Sequence, residues 1–142
     1  MSTWLIYALL SALSAAFVSI FGKVGLKGLD SNAATAVRAI IMALFLIGVV
    51  IAQGKLGNIS EVLADKKSLL FIVLSGIAGA VSWLFYFLAL KYGEVSKVAP
   101  VDKLSVVFAV ILAVIIFDES VSLINAIAIA LIAIGGLILA VY

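Results

Sequence analysis

The chain has 142 residues, of which 67% are hydrophobic and 11% charged; soluble domains carry roughly 25% charged residues, and one domain has too little interior to hide so much apolar side chain. It contains no Cys and no His, which removes disulfides, thiol nucleophiles, imidazole bases and most transition-metal sites, and no cofactor is expected. Its net charge of +2, with nine Lys and Arg spread over loops and spans, offers no patch for nucleic acid and leaves lipid as the solvent this sequence matches.

Five apolar runs follow along the chain, and all are predicted to be helices. In hydrocarbon every backbone N–H and C=O must be satisfied within its own segment, and runs near 20 residues without strand alternation exclude a barrel. The fold class is therefore an all-α membrane protein, with residues 1–142 forming a single transmembrane domain. The first span covers about Trp4 to Phe21. No Lys or Arg precedes it, so the charged n-region of a signal peptide is missing and the mature protein is expected to begin near Met1. A glycine-rich connection, Gly22 to Ser31, leads to the second span, about Asn32 to Ala52. Arg38 sits about a third of the way into it, with uncharged sequence from Ala39 to Gly54 after it. A guanidinium at that depth must snorkel, pair, or face a water-filled cavity, and an intramembrane ionisable residue is a functional candidate by default. The alternative is a span that starts later, with Arg38 reaching headgroup phosphate.

Between Gln53 and Lys67, the residues Ile59, Val62 and Leu63 recur at helical spacing beside Lys55, Glu61, Asp65, Lys66 and Lys67. This fits a short helix in the membrane interface, or else a solvated loop. The third span, about Ser68 to Leu90, places Gly76, Gly79, Trp83, Tyr86 and Leu90 at three- and four-residue steps. That face is small at one end and aromatic at the other, with Ser82 beside it. Gly76 and Gly79 suit close helix approach. Trp83 lies deeper than a belt aromatic and, with Tyr86, can wall a cavity for an organic solute, including a cation over the ring face. Plain core packing is the competing reading.

The fourth span, about Lys97 to Phe117, is broken by Pro100, Asp102, Lys103 and Ser105. Pro100 removes one backbone donor and clashes toward the carbonyl of Ser96, so either the helix starts there or, with a start near Glu94, the proline lies inside it and frees carbonyls toward a cavity. Asp102 and Lys103 are about 100° apart around a helix and meet only if their side chains curl together, so Asp102 is expected to pair elsewhere, with Arg38 as partner. The fifth span, about Val121 to Val141, presents Gly135 and Gly136 among alanines as a surface for helix packing or a dimer contact. Asp118 and Glu119 close the fourth helix at the end where the macrodipole disfavours anions, or else Glu119 caps the start of the fifth, where the same field favours it.

The connections are short, so successive spans alternate in direction. Lys55, Lys66 and Lys67 then share the face of the N-terminus, and Lys23, Lys27, Lys91 and Lys97 the opposite one. This near balance barely specifies an orientation. Either the chain inserts both ways and pairs as an antiparallel homodimer, or it inserts one way with the four-lysine face inward. No span pattern recurs within the chain, so a second copy would have to supply the inverted repeat on which alternating access is commonly built.

The stretch Ala89-Leu90-Lys91-Tyr92-Gly93-Glu94-Val95-Ser96-Lys97-Val98-Ala99-Pro100, followed by Phe117-Asp118-Glu119-Ser120 and the Gly135-Gly136 pair, resembles the EamA domain of the drug/metabolite transporter superfamily. The family pattern is an A-L-x-x-G turn, a V-A-P helix start, a G-E helix end and a small-residue last helix. Asp118 stands where that glycine is common, and Asp102-Lys103 replace mostly apolar positions. Most members carry two such units in inverted orientation; a single-unit chain resembles the half-size members proposed to dimerise. The resemblance implies secondary transport, often outward, of amino acids, other metabolites or toxic organic compounds across a bacterial inner membrane.

The resulting expectation is a transporter of small-molecule substrates whose cavity is lined by the third and fourth spans. Its binding or coupling residues are Arg38, Ser82, Trp83, Tyr86, Pro100, Asp102, Lys103 and Ser105, with Asp102 the candidate coupling carboxylate or else a direct partner for a cationic group. Two alternatives stay open. One is a lipid-carrier flippase subunit that uses Arg38 and Lys103 for phosphate; the other is a non-transporting membrane scaffold or accessory subunit. An enzyme is disfavoured, since clustered carboxylates and a G-x-S-x-G motif are missing along with His and Cys.

Overall fold

The computed structural model describes residues 2–142, and Met1, the expected start of the mature chain, lies outside them. Every regular element among the described residues is a helix: α1 Thr3–Gly25, α2 Ser31–Ala52, α3 Leu56–Ala64, α4 Lys66–Tyr92, α5 Val95–Asp102, α6 Leu104–Phe117 and α7 Leu123–Val141. Five of the segments are long and apolar enough to cross a membrane, namely α1, α2, α4, α5 with α6, and α7. They are the five runs read from the sequence.

One boundary moves appreciably. The glycine-rich connection expected from Gly22 is helical through Gly25, because a span that ends inside hydrocarbon would leave its last carbonyls unpaired, a larger loss than glycine's ~1 kcal/mol of poor propensity. The chain turns at Gly28, whose φ of 74° suits glycine. Asp30 then caps α2 by accepting from the Ala33 N–H at 2.8 Å.

The helices fall into two compact units. The first comprises the chain up to Lys23 together with Tyr92–Tyr142, hence most of α1 with α5, α6 and α7. Here α7 packs along α5 and α6. The contact is close because position 136 has no side chain: a Cβ built there would lie 3.1 Å from the Pro100 carbonyl oxygen and 3.4 Å from Leu104 Cδ2. The Lys23 ammonium donates to the Gly93 carbonyl at 2.7 Å, tying the end of α1 to the turn before α5. Ser122, not the expected Glu119, caps α7, accepting from the Asn125 N–H at 3.2 Å. A carboxylate three residues earlier has no such short path to the first-turn amides.

The second unit, Val24–Lys91, holds α2, α3 and α4. The segment containing Ile59, Val62 and Leu63 is the helix α3. Asp65 caps α4: its Oδ1 accepts from the N–H groups of Lys67 (3.1 Å) and Ser68 (3.2 Å), and its Oδ2 from the Ser68 hydroxyl at 2.6 Å. These bonds, led by the Ser68 hydroxyl and joined by the two amides, hold the Asp65 carboxyl below the usual carboxylate range against a small opposing desolvation.

Both units show apolar side chains outward. Phe17, Phe45, Phe71, Phe108 and Leu131 are each more than half exposed, which lipid tolerates and water does not. Two buried hydroxyls bond along their own helices, those of Ser19 and Thr35 donating to the carbonyls of Ala15 and Ser31, four residues back.

Candidate functional site

In the second unit the aromatic face of α4 is built by helical spacing. Trp83, Tyr86 and Phe87 lie at i, i+3 and i+4 and so share one turn. Trp83 stacks on Phe87 (centroids 5.6 Å, interplanar angle 28°), and Tyr86 presents its edge to Trp83 at 5.9 Å and 87°. Phe87 is buried, Trp83 and Tyr86 are half-buried, and Ser82, one position before Trp83, is exposed. Phe87 did not stand out in the sequence, although its step of four from Trp83 is the same helical signal that marked Tyr86.

Arg38 of α2 completes this cluster. Its guanidinium carbon lies 3.6 Å from the centroid of the Trp83 ring and 4.8 Å from that of Phe87. Arg38 is about 10 Å along α2 from Ser31, and Trp83 about 14 Å along α4 from Tyr92, at 1.5 Å per residue. The charge therefore sits inside the span, laid over the rings and not extended toward the helix start as a snorkelling side chain would be. Within this unit no described carboxylate pairs with Arg38. Stacking uses the face of the guanidinium and leaves its in-plane N–H fork for other acceptors.

This arrangement bears on what the Trp83 ring can hold. The face suited to a solute's cation already carries the protein's own cation. A second positive charge ~5 Å from Arg38 would be repelled by about 3 kcal/mol at an effective dielectric of ~20, more than the ~2 kcal/mol a desolvated cation gains from a tryptophan face.

In the first unit, α5 starts at Val95 after an extended Glu94 (φ −77°, ψ 145°), so Pro100 lies inside the helix. The helix is interrupted three residues later at Lys103, where the bonds shorten to the three-residue step: Lys103 N–H to the Pro100 carbonyl at 3.1 Å and Val106 N–H to the Lys103 carbonyl at 3.0 Å. At this interruption Lys103 Nζ meets Asp102 Oδ2 at 3.2 Å. Asp102 thus forms an ion pair with its sequence neighbour, the two side chains curling toward each other at the interruption of the helix. The Lys103 side chain is 57% exposed and that of Asp102 34%. Ser105, on the first turn of α6, is exposed, and Pro100 is half-buried.

Of the small residues, Gly136 is buried against the Pro100 carbonyl, whereas Gly76, Gly79 and Gly135 have no heavy atom within 4 Å of where a Cβ would stand. Beyond the last turn of α6, Asp118 adopts φ 51° and ψ 32°. This left-handed conformation explains why glycine suits that place. Among the described residues, no group of three or more acidic side chains is placed to hold a metal ion.

A family model described as the EamA-like transporter family matches residues 2–141. A relative from a Sinorhizobium species, described as an uncharacterized transporter in the cobO 3′ region, is 41% identical over 140 residues, which cover 99% of this chain and 98% of that relative. No solved structure matches the chain.

Proposed function

The chain belongs to the EamA-like transporter family and is an integral membrane transporter, and from that premise we propose that it is a secondary transporter of small organic solutes, acting as one domain and working outward across a bacterial inner membrane. The observation that carries this reading is the Arg38 guanidinium, 3.6 Å over Trp83 inside a span, with no carboxylate partner among the described residues of its own unit. A charge kept in hydrocarbon for packing alone would be matched by a carboxylate; one kept to handle solute has donors to spare.

Asp102 is the proposed coupling residue. Its ion pair with Lys103 lies beside the break between α5 and α6. The chain is further proposed to act as an antiparallel homodimer. The near-balanced lysines and the single five-span unit support this, as do Gly76 and Gly79, which are open to a facing helix.

The test is transport in proteoliposomes under an imposed proton gradient, with amino acids and aromatic organic ions as solutes. Gradient-driven movement is expected for the parent chain and its loss for Asp102→Asn; near-normal transport by that variant removes the coupling role. Single cysteines at Ser2 and Gly57 of this cysteine-free chain report topology. Labelling of each from both faces supports dual insertion, and labelling from one face removes the antiparallel dimer.

A further inference from the structure

We infer that the in-plane fork of Arg38, held by Trp83, is an oxyanion receptor, and that the solute this chain handles carries a carboxylate or phosphate-type group on an apolar or aromatic body. The inference deepens the transport reading above and rests on it for the word solute; the receptor itself stands or falls on binding alone.

Three observations converge on a negative ligand. The Trp83 face is occupied by a cation of the protein's own, 3.6 Å from the ring centroid, so a cationic solute meets repulsion where it would seek the ring. The guanidinium carbon lies 3.6 and 4.8 Å from two ring centroids, and a guanidinium that stacks on a ring keeps its in-plane N–H donors for two oxygens on one carbon or phosphorus. Last, the charge is well inside α2 and unmatched by any described carboxylate of its own unit, and a bound anion neutralises it. In the first unit the intramembrane carboxylate Asp102 is engaged by Lys103 at 3.2 Å, and a solute cation would have to break that pair to use it. The apolar body of the ligand finds its surface on Trp83 and Tyr86, whose rings stand edge to face and half-buried. A free organic anion and an anionic lipid headgroup share this chemistry, and the free solute is the occupant proposed.

Only two tryptophans are present, so Trp4→Phe leaves Trp83 as the sole emitter, beside Arg38. The purified chain in phospholipid-free maltoside micelles is titrated with benzoate, phenylphosphonate and benzyltrimethylammonium while Trp83 emission is recorded. Saturable responses to benzoate or phenylphosphonate are expected, with none to benzyltrimethylammonium at tenfold higher concentration. Arg38→Lys, which keeps the charge and loses the fork, is expected to weaken benzoate at least tenfold, and Arg38→Gln to abolish the response. Equal binding of benzyltrimethylammonium and benzoate by the parent chain overturns the receptor without recourse to any variant, as does undiminished benzoate binding in a folded Arg38→Gln. Doping the micelles with phosphatidylglycerol separates the sources: benzoate binding that persists supports the free solute, and its competitive loss assigns the site to lipid and overturns the solute proposal. Binding without transport of benzoate or any other solute in proteoliposomes removes the transport reading and leaves the receptor. Transport of a cation without oxyanion binding does the reverse.

Discussion

If the guanidinium of Arg38 is held in the span by the rings beneath it, then Arg38 and Trp83 must be energetically coupled, and a double-mutant cycle measures by how much. Trp83→Leu removes the ring 3.6 Å below the charge and the edge contact with Tyr86. It is expected to cost about 3 kcal/mol, with ~2 from the lost cation–π contact in a desolvated setting and ~1 from the aromatic pair. Arg38→Met keeps most of the stem and deletes both the favourable contact and the penalty of a charge in hydrocarbon. That penalty is at most about 3 kcal/mol at a helix centre on insertion scales and smaller at this depth, so the single change is expected to fall within about 1 kcal/mol of neutral. In the double variant Trp83→Leu removes only packing, giving a coupling of about 1.5–2 kcal/mol between sites on different helices. Equilibrium unfolding in mixed micelles, monitored by far-UV circular dichroism so that loss of a tryptophan does not remove the signal, supplies the four free energies. A coupling below about 0.5 kcal/mol, the level at which independent sites add, would refute the claim that Trp83 holds Arg38.

At Gly136 a side chain meets the Pro100 carbonyl at 3.1 Å, so Gly136→Leu is expected to destabilise by about 1–3 kcal/mol in the same assay, while Gly48→Leu, where no heavy atom lies within 4 Å, changes stability by less than about 0.5. Asp118 stands at φ 51° with its carboxylate at the helix end that disfavours anions; Asp118→Gly is expected to stabilise by about 0.5–1 kcal/mol, after glycine's extra unfolded-state freedom is subtracted, and a decrease refutes the strain argument. The Asp65 cap has a carboxyl held below its ordinary value, so its contribution is fully present above the unfolded carboxylate pKa of about 4 and is lost as pH falls through the lower folded value. Amide exchange at Ser68 followed by NMR should stay protected down to about pH 4; protection that fades already above pH 5 contradicts the cap.

The lipid-facing design was legible because it is a property of composition and run length. A segment of about 20 apolar residues has no state in hydrocarbon other than a helix, and the ends of α2 and α4 could be read within two residues of the observed Ser31–Ala52 and Lys66–Tyr92. Helical period likewise grouped Trp83 with Tyr86, because a three-residue step fixes a shared face whatever lies opposite. Phe87 belongs to the same turn but was masked in a sequence where nearly every position is apolar. The distinction between Gly136 and the open Gly76, Gly79 and Gly135 was also out of reach, since small residues look alike until a neighbouring carbonyl stands against one of them.

The partner of Arg38 belonged to tertiary structure, and that of Asp102 to a local break between α5 and α6. Run length and charge placement alone put Arg38, Asp102 and Lys103 within apolar spans, where each needs a reason to be. Only the fold decided that Arg38 lies over Trp83 and that Asp102 bonds the lysine beside it. A charge chooses among partners on other helices and at local breaks by distances of a few ångströms, and a helical period, which repeats every 5.4 Å along one axis, carries no information about what stands across from it.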